Sequence, residues 1–199
     1  MKKTLFVFLT LAIISGCALK HITVSHDTDL NCCFLDDGTL VIEDNKAVVT
    51  FPKAAGVLVN MPEPPQILSI KKHNNNYFVL TEISKWSRGT STPKGYCGCG
   101  IEVFLIWINF TDKELFESKE HLIHSCLYNI IRGTCSLSGD LLYITSQNLV
   151  DIRDVRGGVW REITYSYDTK HPAVGIMIAK KPLMLLDSET GKWHPYTPK

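Results

Sequence analysis

Beyond residue 38 the dominant pattern is alternation of apolar and polar positions in short runs, the period-two signature of half-buried strands. Residues 39–43 and 46–51 flank Asp44-Asn45, a pair suited to a two-residue hairpin turn. Residues 66–71 and 77–84 face each other across His73-Asn74-Asn75-Asn76, whose side chains favour a turn. Between these hairpins, Pro62, Pro64 and Pro65 interrupt any central strand. Residues 101–110 are the most apolar strand and are expected to run through the middle of the core. Further strands are expected at 141–146, 149–155, 159–167, 174–179 and 183–186. Gly139-Asp140, Gly157-Gly158 and His171-Pro172 separate several of them.

One stretch reads two ways. Thr111-Asp112-Lys113-Glu114 fits a helix capping box, and Leu115, Phe116, Lys119, Leu122, Ile123, Cys126 and Leu127 fall near helical spacing. The same residues read as a strand after a turn at 111–113, and the hairpins on either side tip the reading slightly toward strand. Further along, Asp187 to Trp193 forms a turn in which Gly191 supplies a positive φ and Trp193 starts the next strand. That turn resembles those inside propeller blades, although no fixed-period repeat accompanies it. The fold class expected is mainly β, as an antiparallel sandwich or meander or a partial propeller, with one short helix near 112–127 as the alternative to a strand there.

The amino terminus departs from this pattern. Lys2 and Lys3 precede an apolar run from Thr4 to Ile14, and Ser15-Gly16-Cys17 follows. At 1.5 Å per residue, the run spans only about 16 Å as a helix, roughly half a bilayer's hydrocarbon core. A removable signal therefore fits better than a transmembrane helix. Ile14-Ser15-Gly16-Cys17 resembles the lipobox of bacterial lipoproteins. The resemblance implies cleavage after Gly16, a diacylglycerol thioether on Cys17 and a third acyl chain on the new amino terminus. Two or more chains make a stable anchor where one is marginal. Ala18, rather than Asp, follows the cysteine, which resembles the outer-membrane class. The organisation expected is a signal at 1–16, a lipidated polar tether at 17–31 and a single β-rich domain at 32–199. If that domain has an internal boundary, the prolines at 61–65 are the candidate.

Loss of the two signal lysines takes the formal charge from +1 to −1, so no strong field gathers nucleic acid and none is expected as a partner. Of seven cysteines, six remain beside the lipidated Cys17: Cys32, Cys33, Cys97, Cys99, Cys126 and Cys135. In an oxidising compartment an even count reads first as disulfides. Adjacent Cys32 and Cys33 are poorly placed to bridge each other. The economical pairing ties the Cys32/Cys33 segment to Cys97/Cys99 and joins Cys126 to Cys135.

Candidate chemistry is sparse. Cys97, Cys99, His121, His124 and Cys126 form a zinc-like donor set, and His121 and His124 share a face if the segment is helical. Oxidised cysteines would not serve as thiolate ligands, and on a strand the two histidines would point opposite ways. Asp36/Asp37 and Glu117/Glu120 could serve glycoside hydrolysis only if folding sets two acids across a cleft. Among the aromatics, Trp107 lies in the most apolar strand and reads as core, whereas Trp160, Trp193 and Tyr196 receive no assignment. Trp86 and Tyr96 bound a loop rich in Gly, Ser and Thr that also carries Arg88, and disulfides would stiffen it. Rigid loops with aromatics make good binding surfaces, so Trp86, Arg88 and Tyr96 are the binding candidates. No catalytic residue and no cofactor is assigned. The expectation is a membrane-anchored, non-enzymatic binding module for a protein or cell-wall ligand, facing the periplasm from the outer membrane. An envelope hydrolase or metal-dependent enzyme built on the Cys/His cluster is the rival.

Overall fold

A computed structural model of the chain describes residues 25–26, 30–34, 39–44, 47–51, 62–63, 65–86, 101–111, 115–125, 128–151, 158–187 and 190–197. Residues 1–24, which include Cys17 and the whole of the expected signal, lie outside these. Within them the protein is mainly β and antiparallel, with one 3-10 turn at Pro172–Val174 as the only helical element. No helix among the described residues is long and apolar enough to cross a membrane.

Fourteen strands are described: β1 (Ser25–His26), β2 (Leu30–Phe34), β3 (Leu40–Asp44), β4 (Ala47–Phe51), β5 (Gln66–His73), β6 (Asn76–Trp86) and β7 (Ile101–Phe110), followed by β8 (Leu115–Ser125), β9 (Ile130–Ser138), β10 (Leu141–Asp151), β11 (Val159–Asp168), β12 (Ile176–Lys180), β13 (Met184–Leu186) and β14 (Trp193–Pro195). One sheet runs in the order β1-β5-β6-β7-β8-β9-β10-β11-β13-β14, with β12 also on β11, while β2-β3-β4 make a three-stranded sheet. From β5 onward chain neighbours are mostly sheet neighbours, so the meander among the expected forms is the one found.

The chain divides into two compact units, Met1–Ile83 with Ile106–Lys119, and Ser84–Leu105 with Glu120–Lys199. In the first, β3 pairs with both β2 and β4 and buries Leu40, Val41 and Ile42. Among the described residues the first pairing is at Ser25, which lies parallel to Ser69 in β5, and Leu30 is buried. The β5–β6 hairpin turns on Asn74 and Asn75, at φ 49° and 65°. Asparagine tolerates this left-handed region better than most residues, which is why a Gly-free turn forms there. Tyr77 to Ile83 in β6 are buried without a break, so both faces of that stretch are covered. Phe78 stacks on Trp107 with ring centroids 6.1 Å apart, worth about 0.5–1.5 kcal/mol beyond the area both bury. Thr81 can lie in this core because its hydroxyl donates to the Gln66 carbonyl at 2.9 Å.

The second unit alternates instead. On β11 Ile163, Tyr165 and Tyr167 are buried, while the intervening Glu162, Thr164 and Ser166 are half-buried. Their β10 partners follow suit, Leu142 opposite Tyr167 and Ile144 opposite Tyr165. One face of β10–β11 is thus packed and the other left open. A buried carboxylate sits at the start of β7: Glu102 accepts a 2.9 Å hydrogen bond from Ser125, whose oxygen in turn accepts from the Tyr128 N–H at 3.2 Å.

The helical alternative near 112–127 is corrected. Residues Leu115–Ser125 are β8, hydrogen-bonded to β7 on one side and β9 on the other, and this pairing overrides the local helical spacing. The turn after Asp187 closes the β13–β14 hairpin: Gly191, at φ 66°, donates to the Asp187 carbonyl at 2.8 Å, and Asp187 donates to the Lys192 carbonyl at 2.9 Å.

Candidate functional site

On the open face of the second unit, a groove of about 310 Å³ is lined by Gln147, Trp160, Glu162, Lys181, Pro182, Met184 and Trp193. Strand register explains why residues so far apart in sequence meet. Trp160 and Glu162 are two apart on β11 and so share its open face. Gln147 lies directly opposite Glu162 on β10, and Leu149 lies opposite Trp160. Cross-strand partners share a face, which carries the site onto β10.

The other edge of β11 is shared by two short strands. β12 covers Ile163 to Tyr167, with Ile163 opposite Lys180, whereas β13 covers Val159 and Trp160, with Trp160 opposite Met184. The two registers differ by one residue, so one extra residue is accommodated in the segment around Lys181, Pro182 and Leu183. Pro182 suits this break because it has no N–H for the ladder, while the Lys181 N–H still reaches the Glu162 carbonyl at 2.9 Å. The slip puts Lys181 and Met184, three apart, on the same face as Trp160 and Glu162. On β14, Trp193 lies opposite Leu186 and Pro195 opposite Met184, which brings the second indole to that face.

Two features define the groove's charge and its packing. Lys181 Nζ lies 2.6 Å from Glu162 Oε1, so the only described carboxylate of the lining is paired and the groove carries no net charge. A Cβ placed on Gly158 would come within 2.3 Å of Leu149 Cδ1 and 2.9 Å of Trp160 Nε1. The nitrogen edge of the indole therefore rests over a glycine, with Leu149 beside it, and a larger residue there would require the Leu149 tip and the indole to shift. Trp160 is half-buried, but Trp193 keeps 44% of its surface exposed.

The residues proposed from sequence fare differently. Trp86 ends β6 and is exposed, while Arg88 and Tyr96 lie outside the described residues. His121 and His124 sit three apart on a strand and so face opposite ways, correcting the helical arrangement that would have joined them. His121 packs against Tyr165 at 5.8 Å between ring centres, and His124 Nδ1 accepts the Arg132 N–H at 3.5 Å. Cys97, Cys99 and Cys126 lie outside the described residues, among which no three potential ligands gather for a metal. Of the carboxylate pairs, Asp36 and Asp37 also lie outside, while Glu117 pairs with Lys119 at 3.2 Å and Glu120 with Lys85 at 2.6 Å.

Among the described residues no two cysteines are joined. Cys33 is disulfide-bonded. Cys32 keeps a thiol, which burial pushes up to about 12. Cys135 lies in β9, while Cys126, its expected partner, lies outside the described residues. Neighbouring Cys32 and Cys33 alternate across β2, so a partner on one side of the strand reaches one of them and leaves the other.

No family model, curated protein or solved structure matches this chain.

Proposed function

We propose that this chain is a lipid-anchored binding protein of a bacterial envelope, held by acyl chains on Cys17 at the outer membrane and facing the periplasm. Its β body meets its ligand through the Trp160–Trp193 groove and performs no chemistry on it. The observation that carries this reading is the groove itself. Two indoles, a primary amide and a neutralised ion pair converge on one face of the sheet, offering a ligand apolar surface with polar groups around it. The ion pair favours binding over hydrolysis. Among the described lining residues Glu162 is the single carboxylate, whereas glycoside hydrolysis of the usual kind takes two. The lipobox-like Ile14-Ser15-Gly16-Cys17 supports the address. A disulfide at Cys33 suits an oxidising compartment, and the segment with Cys97 and Cys99 is where its partner is proposed.

Two measurements test this. Mass spectrometry of the natively produced protein should find the leader gone and acyl groups on Cys17. Material retained by the wild-type protein from a mild detergent extract of the envelope should be lost with Trp160→Ala/Trp193→Ala. An unprocessed chain overturns the address, and equal retention by the double variant overturns the groove.

A further inference from the structure

We propose that the groove binds an uncharged, hydroxyl-rich saccharide, with sugar rings lying against the Trp160 and Trp193 indoles. The inference rests on the reading of the groove as the binding site and adds the class of ligand.

Three features of the lining select this class. Trp160 and Trp193 give two aromatic surfaces on one face of the sheet. A pyranose presents a patch of C–H bonds on its ring faces and hydroxyls around its rim, so it is apolar toward an indole and polar at its edge. The rim of the groove matches. The Gln147 amide offers both donor and acceptor, Lys181 offers donors and Glu162 offers acceptors, as hydroxyls require. Because Lys181 and Glu162 neutralise each other at 2.6 Å, the site has no excess charge to attract an ionic ligand. The volume of about 310 Å³ lies at the lower end of the roughly 300–1,000 Å³ typical of small-ligand clefts, which suits a short oligosaccharide stretch.

The rival occupant is an extended peptide. Peptides docking on β proteins commonly add to a sheet edge and take main-chain hydrogen bonds there. The groove's lining lies over the face of β10, β11, β13 and β14 rather than along the outer edge of β14, where the sheet order ends, so at the groove itself side chains do the recognising.

The four tryptophans make the test direct. With the full chain in a detergent free of sugar headgroups and its tryptophans ¹⁵N-labelled, four indole N–H signals report on Trp86, Trp107, Trp160 and Trp193. Each is assigned by single substitution. The probes are chitotriose, cellotriose and a proline-rich decapeptide. The expected result is saturable shifts of the Trp160 and Trp193 signals with at least one trisaccharide, while those of Trp86 and Trp107 stay in place. Trp193→Ala, at an exposed position, should weaken that binding about tenfold, in line with other ring-on-aromatic stacking, and leave the melting temperature unchanged. Shifts of Trp160 and Trp193 with the peptide alone would overturn the saccharide and keep the groove as the binding site. Shifts confined to Trp86 would overturn both. No shift with any probe would overturn the saccharide class, and the envelope-extract comparison would then decide the groove on its own.

Discussion

Substituting Gly158 by alanine tests the geometry that seats Trp160. The added methyl would start 2.3 Å from Leu149 Cδ1 and 2.9 Å from Trp160 Nε1. Ordinary carbon contacts lie at about 3.5–4.0 Å, so Leu149 has to withdraw by roughly 1.2–1.7 Å and the indole by a smaller distance. Overpacking of this kind costs about 1–3 kcal/mol. Stiffening of the unfolded chain by alanine returns about 0.4–1 kcal/mol. The net expectation is a loss of about 0–2.6 kcal/mol, centred near 1.3, at about 2–4 °C in melting temperature per kcal/mol for a chain of this size. The clash is shared with Leu149, so Leu149→Ala should absorb part of it. In a double-mutant cycle, Gly158→Ala should cost less in the Leu149→Ala background, with a coupling of about 0.5 kcal/mol or more. Circular dichroism melts give the stabilities, and the Trp160 indole N–H shift shows whether the ring has moved. An unchanged Trp160 signal in Gly158→Ala, or strict additivity with Leu149→Ala, would refute the packing described.

Other outcomes follow from the buried and charged groups. Ser125→Ala leaves the buried Glu102 carboxylate and the Tyr128 N–H without their shared hydroxyl and should destabilise by about 1–3 kcal/mol in chemical denaturation; a neutral effect would contradict this burial. With its thiol at about 12, Cys32 should be alkylated by iodoacetamide at pH 8 roughly 10³-fold more slowly than a cysteine peptide, until denaturant restores the ordinary rate. Labelling of the native protein at the peptide rate would count against that environment. Hydrogen bonds from the His171 side chain and the Lys170 and His171 N–H groups hold the Asp168 carboxyl below its usual range. A depressed carboxyl contributes stability that is present above the unfolded value, near 3.9, and lost as pH falls through the folded one. Asp168→Asn should therefore flatten the acid limb of the stability profile below about pH 4, and an unaltered limb would argue against these bonds.

Much of the strand pattern was legible because local chemistry and tertiary pairing agree. Two asparagines mark the β5–β6 turn, and Gly191 marks the β13–β14 turn. The run from Phe104 to Phe110 is apolar enough to be buried on both faces. Elsewhere the local signal was weak or pointed the wrong way. β9 went unread because Ile130 and Ile131 are followed by Gly133 and small polar residues, and most of the strand is exposed. β8 carries helical spacing that its neighbours overrule. The groove was hidden for a different reason. Nothing local in Gln147, Trp160, Glu162, Lys181 or Trp193 sets them apart, and only register brings them to one face. That register depends on a single extra residue beside Pro182, which periodicity does not reveal.

The most direct measurement places a benzophenone amino acid at position 193 or, as a control, at position 86, and irradiates growing cells. Benzophenone inserts into any C–H bond within reach, so the outcome does not depend on the class of ligand. The account predicts a discrete adduct from position 193 and none from position 86. An adduct from position 86, with position 193 left unmodified, would move the contact to the end of β6 and contradict the groove.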